Sequence, residues 1–188
     1  QSLESQNYVV QELVLARQAE VPADAAVVIV AGPRQELLEN EMQSLEAFLG
    51  RGGRLLLLLD PDTARDFMPF VEQYGLELRE DIIVETNPVG RLVGGDYLVP
   101  VVMSYEAHAI TKDFGNTMSI FPVLRSVQVM QELPAGITAQ SLASTSADSW
   151  AETDMQGLKE GRSTFDEASD RRGPVSLAAV ANLPPKTP

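Results

Sequence analysis

The sequence predicts an α/β domain with a mostly parallel sheet and a β-rich second half. Two observations carry this. The first half alternates short apolar runs with amphipathic helical segments, the signature of βα units. Two of those runs, "AVVIVAG" and "RLLLLLD", have no polar alternation, which is what strands buried on both faces of a parallel sheet need. At 188 residues the length fits a single domain, 1–183, followed by a tail, 184–188.

The elements follow in order. "NYVVQELVLA" (Asn7 to Ala16) reads as a strand, since β-branched and apolar residues partly alternate with polar ones. "AVVIVAG" is a buried strand ending at Gly32-Pro33. A helix then runs from Glu36 or Asn40 to Leu49, with Leu38, Met42, Leu45 and Leu49 on one face and Glu36, Glu39 and Glu41 near its positive end. Gly50, Gly52 and Gly53 follow a helix and precede a strand, so they end the helix and make a tight turn. A phosphate-cradling glycine loop has the reverse order, and Leu55 stands where its third glycine belongs. "RLLLLLD" is the next buried strand. A second helix covers Ala64 to Tyr74, and "GLELREDIIVE" gives a connection and a further strand. "GRLVGGDYLVPVV" reads as a hairpin turning at Gly94-Gly95-Asp96, and "AITKDF" as a helical turn. Arg125 to Gln131, Ile137 to Thr145 and Pro174 to Leu183 are strands. Residues 151–172 are polar and acidic and read as a mobile loop. There is no internal repeat.

Composition excludes several functions. A formal charge of −13 with only 14 Lys and Arg argues against nucleic-acid binding, and equally against docking on anionic lipid through a basic patch. No cysteine means no disulfide and no thiolate metal site. No apolar run reaches the roughly 18–20 residues of a membrane span. The chain opens at "QSLESQ", without an initiator Met or a signal sequence, and so reads as a fragment of a larger protein.

Candidate chemistry is sparse. Asp60 lies at the carboxyl end of a parallel strand, where open α/β sheets bind ligands, yet Asp60-Pro61-Asp62-Thr63 is also ordinary turn and cap chemistry. Gly32, Pro33 and Arg34 end the neighbouring strand; with Asp60 they are the ligand- or partner-facing candidates. For Gly32 and Pro33 turn formation is the competing reading, and for Arg34 a solvated charge. His108, the only histidine, is the remaining candidate; an enzyme would need it beside Asp60, as in a hydrolase. No GxSxG elbow marks a nucleophile, and a lone His is more often a structural hydrogen-bonder. The acidic segments depart from the EF-hand pattern, so no metal site and no cofactor is expected. Trp150 could stack on a sugar, though a lone Trp is more often core.

Several segments together resemble one family. "EVPADAAVVIVAGP" with "LLENEMQSLEAFLGRGGRLLLLLDP", then "YEAHAITKDF" and "FPVLRSV", then "LASTSADSWAETD" and "RRGPVSLAAVA" are similar, in order and spacing, to the GldG-type ABC-transporter auxiliary domain of gliding-motility proteins. The resemblance implies a Rossmann-like, class I glutamine-amidotransferase-like fold, with helices on both faces of the sheet and no catalytic cysteine. It implies a bacterial inner-membrane protein whose soluble domain faces the periplasm or cell exterior, held by transmembrane helices outside this sequence. It further implies an ABC permease and ATPase as partners, and an earlier strand with a Gly-His-Gly-Glu-like turn before the region matched here. The expectation is therefore a non-catalytic binding or interaction domain, with a glycan or peptide as a possible ligand. The alternatives are a hydrolase using Asp60 and His108, and a structural spacer.

Overall fold

A computed structural model describes residues 2–88, 96–102, 104–115 and 117–184. The chain divides into two compact units. The first comprises the chain up to Ala31 together with Leu37–Leu58; the second comprises Gly32–Glu36 and Leu59–Pro184.

The first unit is a β-α-β motif. Strand β1 (Val27–Ala31) pairs in parallel with β2 (Arg54–Leu58), Val27 opposite Arg54 through Ala31 opposite Leu58. Between them runs helix α1 (Glu39–Gly50). The Glu41 carboxylate accepts the Leu38 amide at 2.8 Å, half of a capping box that Leu38 cannot complete. The helix buries Leu45 and Phe48 most deeply, while Leu38 at the end of the expected stripe is 60% exposed. Ser44 is buried beside them because its hydroxyl donates to the Asn40 and Ala19 carbonyls.

The glycines after the helix behave as the sequence indicates. Gly52 has φ +91°, and the Gly53 amide closes back on the Phe48 carbonyl at 2.9 Å. A Cβ on Gly53 would lie 2.5 Å from the Phe48 ring, so the turn is compatible only with glycine.

The second unit is built from small antiparallel pairings. Helix α2 (Phe67–Glu72) packs on strand β3 (Leu76–Leu78); Phe67 meets Phe70, and Phe70 meets Tyr74, edge to face. Strand β4 (Ile82–Glu85) follows, then β5 (Val101–Val102), β6 (Ser119–Ile120), β7 (Val127–Val129), β8 (Thr138–Ser144) and β9 (Ser149–Glu152). Helix α3 (Met155–Lys159), β10 (Arg171–Arg172) and β11 (Ser176–Asn182) complete it. The pairs β3–β7, β5–β6 and β8–β11, and the three-stranded order β10–β9–β4, are all antiparallel. Ile83, Val102, Ala143, Ala151, Val175 and Leu177 form its core, with Tyr105, Phe121 and Leu124 packed around them.

The fold expectation is therefore corrected. The only parallel pairing among the described residues is β1–β2, and no Rossmann-like or amidotransferase-like parallel sheet with helices on both faces is formed. Short apolar runs look alike in parallel and antiparallel neighbourhoods; pairing direction comes from partners far away in sequence. The outer face of β1–β2 consequently stays open, with Val27, Ile29, Leu56 and Leu58 each 43–52% exposed. The strand expected at Asn7 to Ala16 does not form either. Tyr8, Val9 and Val10 are exposed and no strand is assigned there. The turn expected at Gly94-Gly95 lies outside the described residues. Within 151–172, expected as a loop, the chain holds the end of β9, helix α3 capped by Asp154 on the Gly157 amide, and the whole of β10.

Replacing Gly53 with Ala forces the Phe48 ring from its place and strains the turn. The variant is expected to lose about 1–3 kcal/mol of unfolding free energy. Chemical denaturation followed by circular dichroism measures this, with Gly115→Ala as the contrast, since that glycine combines φ +52° with open space and isolates the backbone cost.

Candidate functional site

The residues singled out from sequence fall on the loops after β1 and β2. Gly32 has φ +56°, a conformation that β-carbon sterics disfavour, and a Cβ built there would sit 3.3 Å from Asp60 Oδ2. The two positions are thus immediate neighbours, as expected from strand ends. Pro33 is half-buried and Arg34 exposed. Asp60 is exposed, and its carbonyl accepts the Thr63 hydroxyl at 3.0 Å, so the turn reading of Asp60-Pro61-Asp62-Thr63 holds for the backbone. Asp62 and Ala64 also have positive φ, +60° and +52°, which places two non-glycine residues of this loop in the left-handed region.

His108 has a different setting. Its Nδ1 accepts the Ile110 amide at 3.1 Å, and its carbonyl accepts the Thr111 and Lys112 amides. The imidazole thus caps its own turn. Among the described residues no hydrogen bond or ion pair joins it to Asp60, and none places a base on a hydroxyl at the Gly32–Asp60 edge. No group of three or more His, Asp or Glu among the described residues is placed to hold a metal ion. Trp150 is half-buried, donates Nε1 to Glu152 Oε2 at 3.1 Å and meets Phe165 edge to face at 6.4 Å.

What the sequence reading missed lies behind this edge. Asp81 is fully buried; its Oδ1 accepts the Ser126 amide at 2.7 Å and its Oδ2 the Ser126 hydroxyl at 2.6 Å. The buried Arg125 donates Nε to the Arg79 carbonyl at 2.9 Å and Nη1 to the Thr63 carbonyl at 3.2 Å. Burial lowers the pKa of the Arg125 guanidinium, and the charges of Asp81, Glu80 and Asp62 offset this in part. Thr63 sits between the two strained residues, so Arg125 clamps the loop that carries Asp60. Two further buried carboxylates follow the same logic. Glu85 accepts the amide and hydroxyl of Ser146, and Glu152 accepts the Trp150 indole and the Asp154 amide. The signal available was the "FPVLRSV" motif, whose Arg-Ser pair makes this network.

Chemically the edge presents the exposed Asp60 carboxylate on a loop whose Thr63 carbonyl is held by Arg125, with Arg34 exposed on the loop after β1. Two shallow hollows lie elsewhere in the second unit. One, of about 390 Å³, is lined by residues of β7, β8, β10 and β11. The other, of about 410 Å³, is lined by Glu152, Asp154, Arg162 and the 164–169 segment around Phe165. Neither includes Gly32, Pro33, Arg34, Asp60 or His108.

Removing the clamp exposes its role. Arg125→Met leaves the Arg79 and Thr63 carbonyls and Asp81 without its charge, and is expected to cost about 2–4 kcal/mol. Asp60→Asn, on an exposed carboxylate with no side-chain partner among the described residues, should stay within about 0.5 kcal/mol of the parent. Urea unfolding of the two variants measures the contrast; equal costs would contradict it.

Comparison with known proteins adds two findings. No curated protein matches the chain. Among solved structures, the "mmIFT52 N-terminal domain" matches with TM-score 0.55 and 18% sequence identity, covering 80% of this chain and 70% of that one. At that identity the likeness is one of fold alone. A family model, ABC_transp_aux, matches residues 1–184. The order of segments from the Ala-Gly-Pro strand end to the Gly-Pro before β11 therefore identifies the chain as a member of the family described as "ABC-type uncharacterized transport system".

Proposed function

We propose that the chain is a non-catalytic, extracytoplasmic interaction domain of the auxiliary component of a bacterial ABC-type transport system, docking on the system's membrane-embedded permease, with the ATPase as the further partner. The family supports the auxiliary role. The observation that supports docking is the open face of β1–β2. Ile29 stands opposite Leu56 and Ala31 opposite Leu58, and the face carries a single charge, that of Arg54. On a protein of net charge −13 an aliphatic face without a carboxylate is suited to an apolar protein surface. The settings of His108 and Asp60, each held in its own turn, support a role without bond-making. Among the described residues no helix is long and apolar enough to cross a membrane, so attachment is assigned to other parts of the parent protein.

In the intact parent protein, in its native membrane, a photo-crosslinking residue at Leu56 should capture the permease, and one at the exposed Glu132 should not. Leu56→Glu should abolish that capture while shifting stability by less than about 1 kcal/mol, since Leu56 is already 45% exposed. Equal capture from both positions, or none from Leu56, overturns the docking face. Recovery of the intact protein from the cytosol alone overturns the localisation.

A further inference from the structure

Strand β10 consists of two arginines, and the side-chain alternation of a strand sends them to opposite faces. Arg172, opposite Trp150, lays its guanidinium over the Phe165 ring at 4.2 Å. Arg171, opposite Ala151, lines the hollow of about 390 Å³ together with Gln128, Gln140, Ser141, Ser176 and Val175. None of the residues lining that hollow is acidic, in a chain with 27 Asp and Glu against 14 Lys and Arg.

Arg171 is half-buried, and among the described residues it makes neither an ion pair nor a hydrogen bond through its side chain. Burial lowers its pKa, and the nearby charge of Arg79 lowers it further, against smaller opposing pulls from Glu77 and Asp81. A partly desolvated guanidinium without a partner is unfavourable, and an incoming carboxylate that bonds it in a two-pronged fashion removes that cost. The groups around it are equally specific. The Ser141 and Ser176 hydroxyls bond each other at 2.8 Å; Ser141 also lies 3.4 Å from the Ser144 hydroxyl and 3.5 Å from the Ala143 and Ala178 carbonyls, and Ser176 lies 3.5 Å from the Ala178 carbonyl, so the capacity left to each oxygen is as an acceptor. The Gln128 amide has no side-chain partner among the described residues, and Gln140 uses only its Nε2, on the Ala107 carbonyl. Amides and hydroxyls both donate and accept, as sugar hydroxyls do, and the volume falls within the range of small-ligand sites.

We propose that this hollow binds an acidic sugar, with Arg171 receiving the uronate carboxylate and Gln128, Ser141 and Ser176 bonding the ring hydroxyls. The site uses residues other than those of the docking face and does not depend on the transport reading. The latter is tested in the membrane, this site in the purified chain.

The test is a titration of the 188-residue chain, followed by amide chemical shifts, with three probes: digalacturonate, neutral digalactose and N-acetyl-dialanine with a free carboxylate. Digalacturonate is expected to shift Gln128, Ser141, Arg171 and Ser176, while the other two probes leave them unmoved at the same concentration. Arg171→Gln should weaken digalacturonate binding at least roughly tenfold, and Arg171→Lys should keep part of it, because the charge remains and the two-pronged geometry does not. Arg17→Gln, at an exposed position of the first unit, should bind as the parent does. The wild-type titration decides alone should an Arg171 variant fail to fold. Equal shifts from all three probes, shifts from the peptide alone, or none up to about 20 mM, where even weak sugar binding registers, overturn the assignment.

Discussion

The structure of the second unit depends on one buried contact, the Asp81 carboxylate on Ser126. A carboxylate taken out of water with no partner is costly; one that accepts an amide and a hydroxyl from a single residue is satisfied. Because Asp81 stands just before β4 and Ser126 just before β7, their bonds fix the point where these two strands begin. Arg125, the neighbour of Ser126, is thereby aimed across the backbone at Arg79 and Thr63. The same few atoms therefore set strand placement and hold the strained loop that carries Asp60. The unit has short pairings and few helices, so connections of this kind supply order that a long sheet would otherwise give.

The motifs by which the chain resembles its family serve the same end. Thr145 and Ser149 share a hydrogen bond at 2.5 Å, Ser149 donates to the Ser146 carbonyl, and Ser146 donates to Glu85. A Cβ on Gly173 would lie 2.3 Å from Ser149 Oγ and 2.5 Å from the Ser146 carbonyl, so the Thr-Ser-x-x-Ser segment and the Gly-Pro before β11 are two halves of one packed corner. Tyr105 donates to the Ser119 hydroxyl, and Thr111 to the Glu106 carbonyl, within the aromatic-x-x-His-x-Ile-Thr segment. The signature thus encodes a scaffold. That explains why it can be recognised by order and spacing.

How much could be read from the sequence follows from where the determining contacts lie. The β1–α1–β2 motif was legible because its signals are local: a helical stripe, a glycine turn of the correct orientation and two pure apolar runs. The adjacency of Gly32 and Asp60 followed from the parallel register of those strands. Pairing direction elsewhere was not legible, since β4 meets β9 64 to 70 positions later, from Glu85 opposite Ser149 to Ile82 opposite Glu152, and nothing within Ile82–Glu85 states that it is antiparallel. Asn7 to Ala16 has the composition of a strand and lacks a partner among the described residues, which composition cannot reveal. Asp81, Glu85 and Glu152 were hidden among 27 acidic residues, because burial is a property of the fold rather than of the residue type.

The same reasoning accounts for the two arginines of β10. Adjacent in sequence, they differ in every physical respect that matters, because strand alternation gives them different surroundings. Arg172 spends its charge on the face of Phe165, whose ring also meets Trp150, and so completes an aromatic cluster. Arg171 faces amides, hydroxyls and aliphatic carbon, and is left with its hydrogen-bonding capacity unused. Some guanidinium groups of this acidic chain have a carboxylate within reach, as Arg65 has Glu80 at 2.7 Å and Arg79 has Glu77 at 3.1 Å. A cation kept half-buried without such a pair, while its neighbour in sequence is fully engaged, is where local chemistry departs from what stability alone favours, and departures of that kind are characteristic of binding positions.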